Sequence, residues 1–269
     1  MSTLLQQAHP AGGPRPASAR PAPVSGIPFA RLAAVELRKQ VDTRAGRWLL
    51  AVIVAVSAAL IVALLLVGEP ADLTWASLAS TASFAQILLL PLIGVMAATG
   101  EWSQRTALTT FALEPRRTRV HAAKLVSAVV LGLAVTAAAL ATGAVANLVG
   151  LTLLDGDGSW SFRWAAIGGL TLGLLLLVTQ GVGFGLALLS TPAAIVAYLV
   201  LPTAWTVVTA LVPALAGPAE WLDMNRTLIP LTAGAMTPHD WARLGTSVAV
   251  WVGLPLGFGL WRTARRDVA

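Results

Sequence analysis

The sequence predicts an all-α membrane protein with six transmembrane helices, and three observations predict it. First, charge is missing from five long stretches, 48–68, 73–100, 125–154, 164–219 and 244–261. A helix of about 20 apolar residues crosses a bilayer, and a charge at its middle costs roughly 2.5–3.5 kcal/mol on insertion scales. Four stretches are therefore single spans, and 164–219 is long enough to fold back as two. Second, hydrophobic residues make up 57% and charged residues 11%, with a mean hydropathy of +0.77; a soluble domain carries about 25% charged residues. Third, fifteen of the 18 Lys and Arg residues fall on one side of the membrane so drawn.

The elements follow in order. Residues 1–26 carry Pro10, Pro14, Pro16, Pro21 and Pro23 among Ala, Ser, Gly and Arg. Such a segment buries too little apolar surface to offset its ordering entropy, and it lacks the apolar core of a signal peptide. It reads as a disordered cytosolic tail. A short helix is expected over 28–44, with proline in its first turn. Phe29, Ala33, Leu37 and Val41 form an i, i+4 row with Leu32 beside it, and Arg31, Arg38 and Asp42 lie opposite. That is the pattern of a helix lying in the membrane interface, although Glu36 and Gln40 fall near the apolar row. The spans are expected at 48–67, 80–99, 125–149, 164–188, 193–212 and 244–261, with Ser190, Thr191 and Pro192 marking the turn between the fourth and fifth.

Orientation follows from the loops. Before the first span lie Arg15, Arg20, Arg31, Arg38, Lys39, Arg44 and Arg47. Between the second and third lie Arg105, Arg116, Arg117, Arg119 and Lys124, and after the sixth lie Arg262, Arg265 and Arg266. Six spans put all of these on one side, and positive loops mark the cytoplasm. The other side holds Arg163, Arg226 and Arg243 with seven acids, Glu69, Asp72, Asp155, Asp157, Glu220, Asp223 and Asp240. Both termini are expected inside. Eight of the ten tryptophans, all except Trp205 and Trp251, lie near span ends or in loops, as an interfacial belt requires. The basic excess is thus a matter of topology and does not point to nucleic acid. Sixteen Arg against two Lys hints at a GC-rich bacterial genome.

Much chemistry is missing. No cysteine is present, so disulfides, thiol catalysis and cysteine-ligated metals are excluded. No Asp, Glu, His or Arg lies inside a predicted span, where ion-coupled carriers place them. The candidates for a substrate path are Gln86, Asn147 and Gln180, residue types that more often bond between helices. The phosphate-binding pattern G-x-x-x-x-G-K-[ST] is absent. Gly181, Gly183 and Gly185 lie in an apolar span and read as a surface for close helix packing, and Gly253 and Gly257 read the same way. His9 lies in the tail, and His121 and His239 fall on opposite sides, so no histidine pair is expected to hold a metal. No nucleophile with an orienting base stands out, and an enzyme is not expected.

The loop after the second span reads EWSQRTALTTFALEPRRTRVHAAKL over 101–125. A helix over 101–113 carries Trp102, Leu108 and Phe111, Pro115 ends it, and a basic turn follows. Here the chain resembles the type-2 ABC exporter permeases, the membrane subunits of bacterial ATP-driven export systems. Glu101, Pro115 and the Ala123–Lys124 pair match the family's loop, and Glu36, Arg38 and Lys39 match the acidic-then-basic signature of its elbow helix. The match departs at Thr118, where the family often has Arg; Arg116, Arg117 and Arg119 surround that position. The resemblance spans about 29–265.

It implies an interfacial elbow helix carrying Phe29, Glu36, Leu37, Arg38 and Lys39, with a single permease domain over 27–269. It also implies a cytosolic coupling helix between the second and third spans. That segment, with Glu101, Trp102, Arg105, Glu114, Pro115, Arg116, Arg117, Arg119 and Lys124, would dock on a separate cytosolic ATPase subunit. ATP and magnesium would bind on that partner, with no cofactor in this chain. A second permease copy or paralogue would complete a dimer in the bacterial plasma membrane. Short re-entrant helices are implied within 217–243. The rival expectation is a non-transporting membrane protein, an anchor, immunity or regulatory factor, with the same topology and no ATPase.

Overall fold

The computed structural model describes residues 27–161 and 163–265. The expected disordered tail 1–26, with Arg15, Arg20 and His9, lies outside the described residues, as does Arg266. Within them every regular element is helical. Helix α1 (Phe29–Asp42) runs into α2 (Arg44–Val67) at Thr43, whose hydroxyl accepts from Gly46 N and starts the second helix. Then come α3 (Trp75–Ser103), α4 (Ala107–Leu113), α5 (Arg117–Leu153), α6 (Trp164–Leu188) and α7 (Thr191–Leu211). Two short helices, α8 (Ala216–Leu222) and α9 (Met224–Thr232), precede α10 (Pro238–Val248). A five-residue π turn, Ala249–Gly253, joins α10 to α11 (Leu254–Arg265). Among the described residues six helices are long and apolar enough to cross a membrane: α2, α3, α5, α6, α7 and the composite Pro238–Arg265. The chain is a multi-pass membrane protein, and the charge-free stretches locate its spans. The helices overrun them because their charged ends continue the same turns.

Helix α6 is the axis of the bundle and α3 is its main partner. Leu174, Val178, Val182 and Leu186 of α6 meet Leu90, Ile93 and Ala98 of α3, with Ile53 of α2 and Ala128 of α5 closing the core. In lipid there is no hydrophobic drive between helices, so close contact through small residues matters. A Cβ at Gly181 would stand 2.1 Å from Pro91 O, and one at Gly94 would stand 2.4 Å from Val178 O. The expectation for Gly181, Gly183 and Gly185 holds. For Gly253 and Gly257 it fails: a Cβ at Gly253 would meet only Val248 O, at 3.7 Å, and one at Gly257 nothing within 4 Å. The π turn rotates that face outward, and Gly259 instead meets α6 at Leu186. Helices α2 and α7 turn most of their surface outward, including Val54, Leu66, Val196 and Leu211, the apolar faces a lipid solvent requires.

The six passes define two ends. At one, α1, the α3–α4–α5 corner, the α6–α7 turn and the end of α11 come together: Thr99 Oγ1 lies 2.7 Å from Thr191 Oγ1, and Arg117 Nη1 donates to Thr263 O at 2.7 Å. This end carries the basic residues. At the other, acidic end, loop 154–161 straps back over 70–75, with Trp75 N donating to Ser159 O at 3.0 Å and Asp157 N to Pro70 O at 2.9 Å. There α8 and α9 fold back between α6, α7 and α10. Met224 packs with Leu177 and Val252, Thr227 Oγ1 lies 2.7 Å from Ser247 Oγ, and α9 climbs along α6 past Gly173 and Gly169. Short helices therefore do occupy the segment where the resemblance implies them. Asp223, read from the sequence as a loop acid, is 1% exposed at the bottom of this fold-back and caps α9 through Asn225 N and Arg226 N.

Candidate functional site

The basic end is built around a closed ring of four charges. Glu36 accepts from Lys39 Nζ at 2.6 Å and from Lys124 Nζ at 2.7 Å. Glu101 Oε1 lies 3.0 Å from Lys39 Nζ and 3.1 Å from Lys124 Nζ. Two carboxylates and two ammonium groups alternate, so the ring is neutral. The side chains of Glu36 and Lys124 are 2% exposed and that of Glu101 is 6% exposed. The ring joins α1, the end of α3 and the start of α5, three elements far apart in sequence. One turn along, Gln40 Nε2 donates to Ser127 Oγ at 2.6 Å and repeats the link between α1 and α5. Lys39 is half-exposed toward a groove of about 940 Å³ between α1 and the α3–α4 corner. Burial works against its charge, but the Glu36 and Glu101 carboxylates outweigh it and hold its pKa above the usual lysine value.

The ring explains the flaw in the amphipathic pattern of α1. The face turned into the protein is Leu32, Glu36 and Gln40. The expected apolar row is split, with Phe29 exposed while Leu37 and Val41 pack at the edge of the core. Arg38 points away and lies 3.9 Å from Asp42.

The expected single helix over 101–113 is two helices. Helix α3 continues through Ser103, the chain reverses at Arg105 with a left-handed φ of 57°, and α4 begins at Ala107. Glu101 and Trp102 therefore end the second span. Trp102 packs inward against Phe111, with ring centroids 6.3 Å apart, beside Leu32 and Val120. Thr110 Oγ1 donates to Glu101 Oε1 at 3.0 Å and fastens α4 to the charge ring.

The basic turn is also partly consumed within the chain. Arg119 pairs with Glu114 at 2.7 Å and donates to Ile27 O at 2.9 Å. Arg117 lies over the Phe111 ring, 5.0 Å from its centroid, as well as reaching Thr263 O. Buried His121 stands edge-on to Phe111. Of the nine residues expected to contact a partner, Glu101, Glu114 and Lys124 are buried, and Trp102, Arg117 and Arg119 are half-buried. Arg105, Pro115 and Arg116 are exposed. Beside them stand Leu108, 54% exposed, which the sequence reading placed on this helix without giving it a docking role, and Leu113, 70% exposed, which it did not single out. The helical spacing of Leu108 and Ala112, with Leu113 next to it, was the available signal.

The three amides expected along a path divide differently. Gln86 Nε2 donates to Val135 O at 3.2 Å, and Asn147 Nδ2 donates to Gly158 O at 3.1 Å. Both are structural bonds, between α3 and α5 and between α5 and the 154–161 strap. Gln180 alone lines a cleft. Among the described residues no group of His, Asp and Glu is placed to hold a metal ion. No known family, no curated protein and no solved structure matches the chain.

Proposed function

We propose that the chain is the membrane-spanning permease subunit of an ATP-binding-cassette exporter, working with a separate cytosolic ATPase subunit and a second permease copy or paralogue in a bacterial plasma membrane. One observation carries this reading. Helix α4 is a short helix at the rim of the bundle, packed inward through Ala107 and Phe111 and tied to three other elements through the Glu36–Lys39–Glu101–Lys124 ring and Thr110, and its outer side carries Leu108 and Leu113 beside Arg105 and Arg116. An apolar helical face with a cationic rim suits docking into a groove on a partner. The buried ring makes the attachment stiff, so a push on α4 reaches α1, α3 and α5 together. Positive residues at that end support a cytoplasmic location for it.

The test isolates the tagged full-length chain from its native membranes and looks for an associated subunit bearing a phosphate-binding loop and ATP hydrolysis. Association is expected to be lost on Leu108→Glu and kept on Leu148→Ser, an exposed apolar position in α5 away from α4. Isolation of the intact chain without any ATPase, or retention of the ATPase by Leu108→Glu, would reject the reading. Cysteines placed singly at Arg116 and Asp157 fix orientation: an impermeant thiol reagent on intact cells is expected to reach position 157 and not 116.

A further inference from the structure

A second feature lies away from the charged end. A cleft of about 370 Å³ opens between α3, α6, α7 and α9, inside the range of about 300–1,000 Å³ typical of small-molecule sites. It exists because α7 leaves α6 beyond Tyr198. Ala194 and Tyr198 are buried against the bundle, whereas Val200, Leu201, Val207 and Val208 face outward, and Pro202 lies inside the helix, where it removes one backbone donor. The folded-back α9 closes the gap only partly, with Met224, Leu228 and Ile229 on the cleft wall. Phe84, 65% exposed, and Leu88, 54% exposed, flank the mouth, so the cleft opens sideways from the bundle.

The lining has two chemical properties. Among the described residues none that lines it is charged. Yet Gln180, 1% exposed, lines its wall, and its Nε2, itself buried behind the cleft surface, has no hydrogen-bond partner. Leaving a buried donor unsatisfied is costly, so an amide left unpaired in a packed helix calls for an acceptor that the chain does not supply. Thr203 and Asn225 add polar groups nearer the opening. A largely apolar pocket with a few convergent polar groups is the usual form of a small-molecule site, and the lack of any counter-charge disfavours an ion.

We propose that this cleft binds an uncharged, mainly apolar small molecule, entering from the side and accepting a hydrogen bond from Gln180 through a carbonyl or ether oxygen. As a binding site it stands on this chain alone; as a substrate site it rests on the permease reading and gives that reading a substrate class.

The test uses the full-length chain in phosphatidylcholine nanodiscs, without any ATPase, and tritiated progesterone, a neutral apolar ketone, read by scintillation proximity. A saturable component displaced by unlabelled progesterone and not by the cation tetraphenylphosphonium is expected. Gln180→Leu should weaken it about tenfold, equivalent to one hydrogen bond at about 1.4 kcal/mol. Gly173→Leu should abolish it. A Cβ at Gly173 meets Leu228 and Thr232 at ordinary distances of 3.6 and 3.8 Å, so the backbone tolerates the change while the longer side chain fills the cleft. Thr203→Phe blocks it from the opposite wall should the first variant fold poorly. No saturable component, equal displacement by the cation, or unchanged binding in a folded cleft-filling variant would overturn the proposal. So would native mass spectrometry showing a phospholipid that progesterone cannot displace, because an acyl chain would then be the occupant. Loss of ATPase association would leave these results untouched.

Discussion

At the basic end, four charges close on one another, and of the ring's carboxylate oxygens only Glu101 Oε2 is left without a partner; at Gln180, the amide nitrogen is buried beside a cleft with no partner at all. The two regions carry polar groups into the bundle for different ends. The ring spends its polarity on joining α1, α3 and α5, and its neutrality lets it sit in a low-dielectric place. The amide near the cleft joins nothing, so its polarity is free for a ligand. Removing a member of a paired set should cost stability, while removing an unpaired group should cost only what it binds.

The largest expected effect breaks the first half of that comparison. Lys124→Met leaves Glu36 and Glu101 buried without the central cation, and breaking a buried pair costs about 3–5 kcal/mol. Thermal unfolding of the purified chain should show it. Glu101→Gln added to Lys124→Met should recover part of the loss, because one of the stranded charges is then gone. A Lys124→Met variant as stable as the parent would mean that water, not the ring, satisfies these carboxylates.

Next in size is the packing that holds both regions in place. Gly181→Val puts a side chain into Pro91 O at the α3–α6 crossing, and overpacking typically costs about 1–3 kcal/mol. The same change at Gly257, which faces open space, should cost much less. Equal melting temperatures for the two variants would remove the crossing from its place at the centre of the fold.

Gln180→Leu sharpens the contrast. Replacing an unpaired amide by an apolar side chain of similar size should leave stability unchanged or raise it by about 1 kcal/mol. Asn147→Leu, at an equally buried amide bonded to the 154–161 strap, should lower stability by about 0.6–1.7 kcal/mol, from the mean to the largest value for side-chain hydrogen bonds in a membrane bundle. Opposite signs in paired melting curves are the expected result.

The smallest effect concerns pH. The pKa of Lys39 is raised, so the stability it contributes is complete below the unfolded lysine value of about 10.4. That contribution is lost only as pH rises through the higher folded value. The melting difference between the parent and Lys39→Met should therefore stay constant across neutral and mildly alkaline pH.

Some of this was legible in the chain. Glu36, Lys39, Glu101 and Lys124 all stand out in the sequence, but as two separate motifs 65 residues apart from Glu36 to Glu101. Their union needed the third dimension, because an ion pair leaves no local periodicity. The break at Arg105 was hidden as well: no proline or glycine stands between Glu101 and Leu113, and the turn is made by an arginine held at positive φ. Trp102 looked like an anchor for a partner because nothing local says that Phe111 folds back onto it.

What the sequence determined by itself is the six-span architecture and which loops share an end. Both follow from the cost of putting charge in lipid, a property of composition that each stretch carries alone. Only the tertiary structure decided which polar residues are paired and which are left open. It also decided that Asp223 is buried, that the face of α1 turned to the protein is the one with Glu36 and Gln40, and that Gly259 rather than Gly257 meets α6. In a bilayer an apolar side chain gains little by choosing protein over lipid, so hydrophobic pattern stops short of packing. Hydrogen bonds, ion pairs and close glycine contacts make that choice, and each depends on a partner that a single stretch of sequence does not contain.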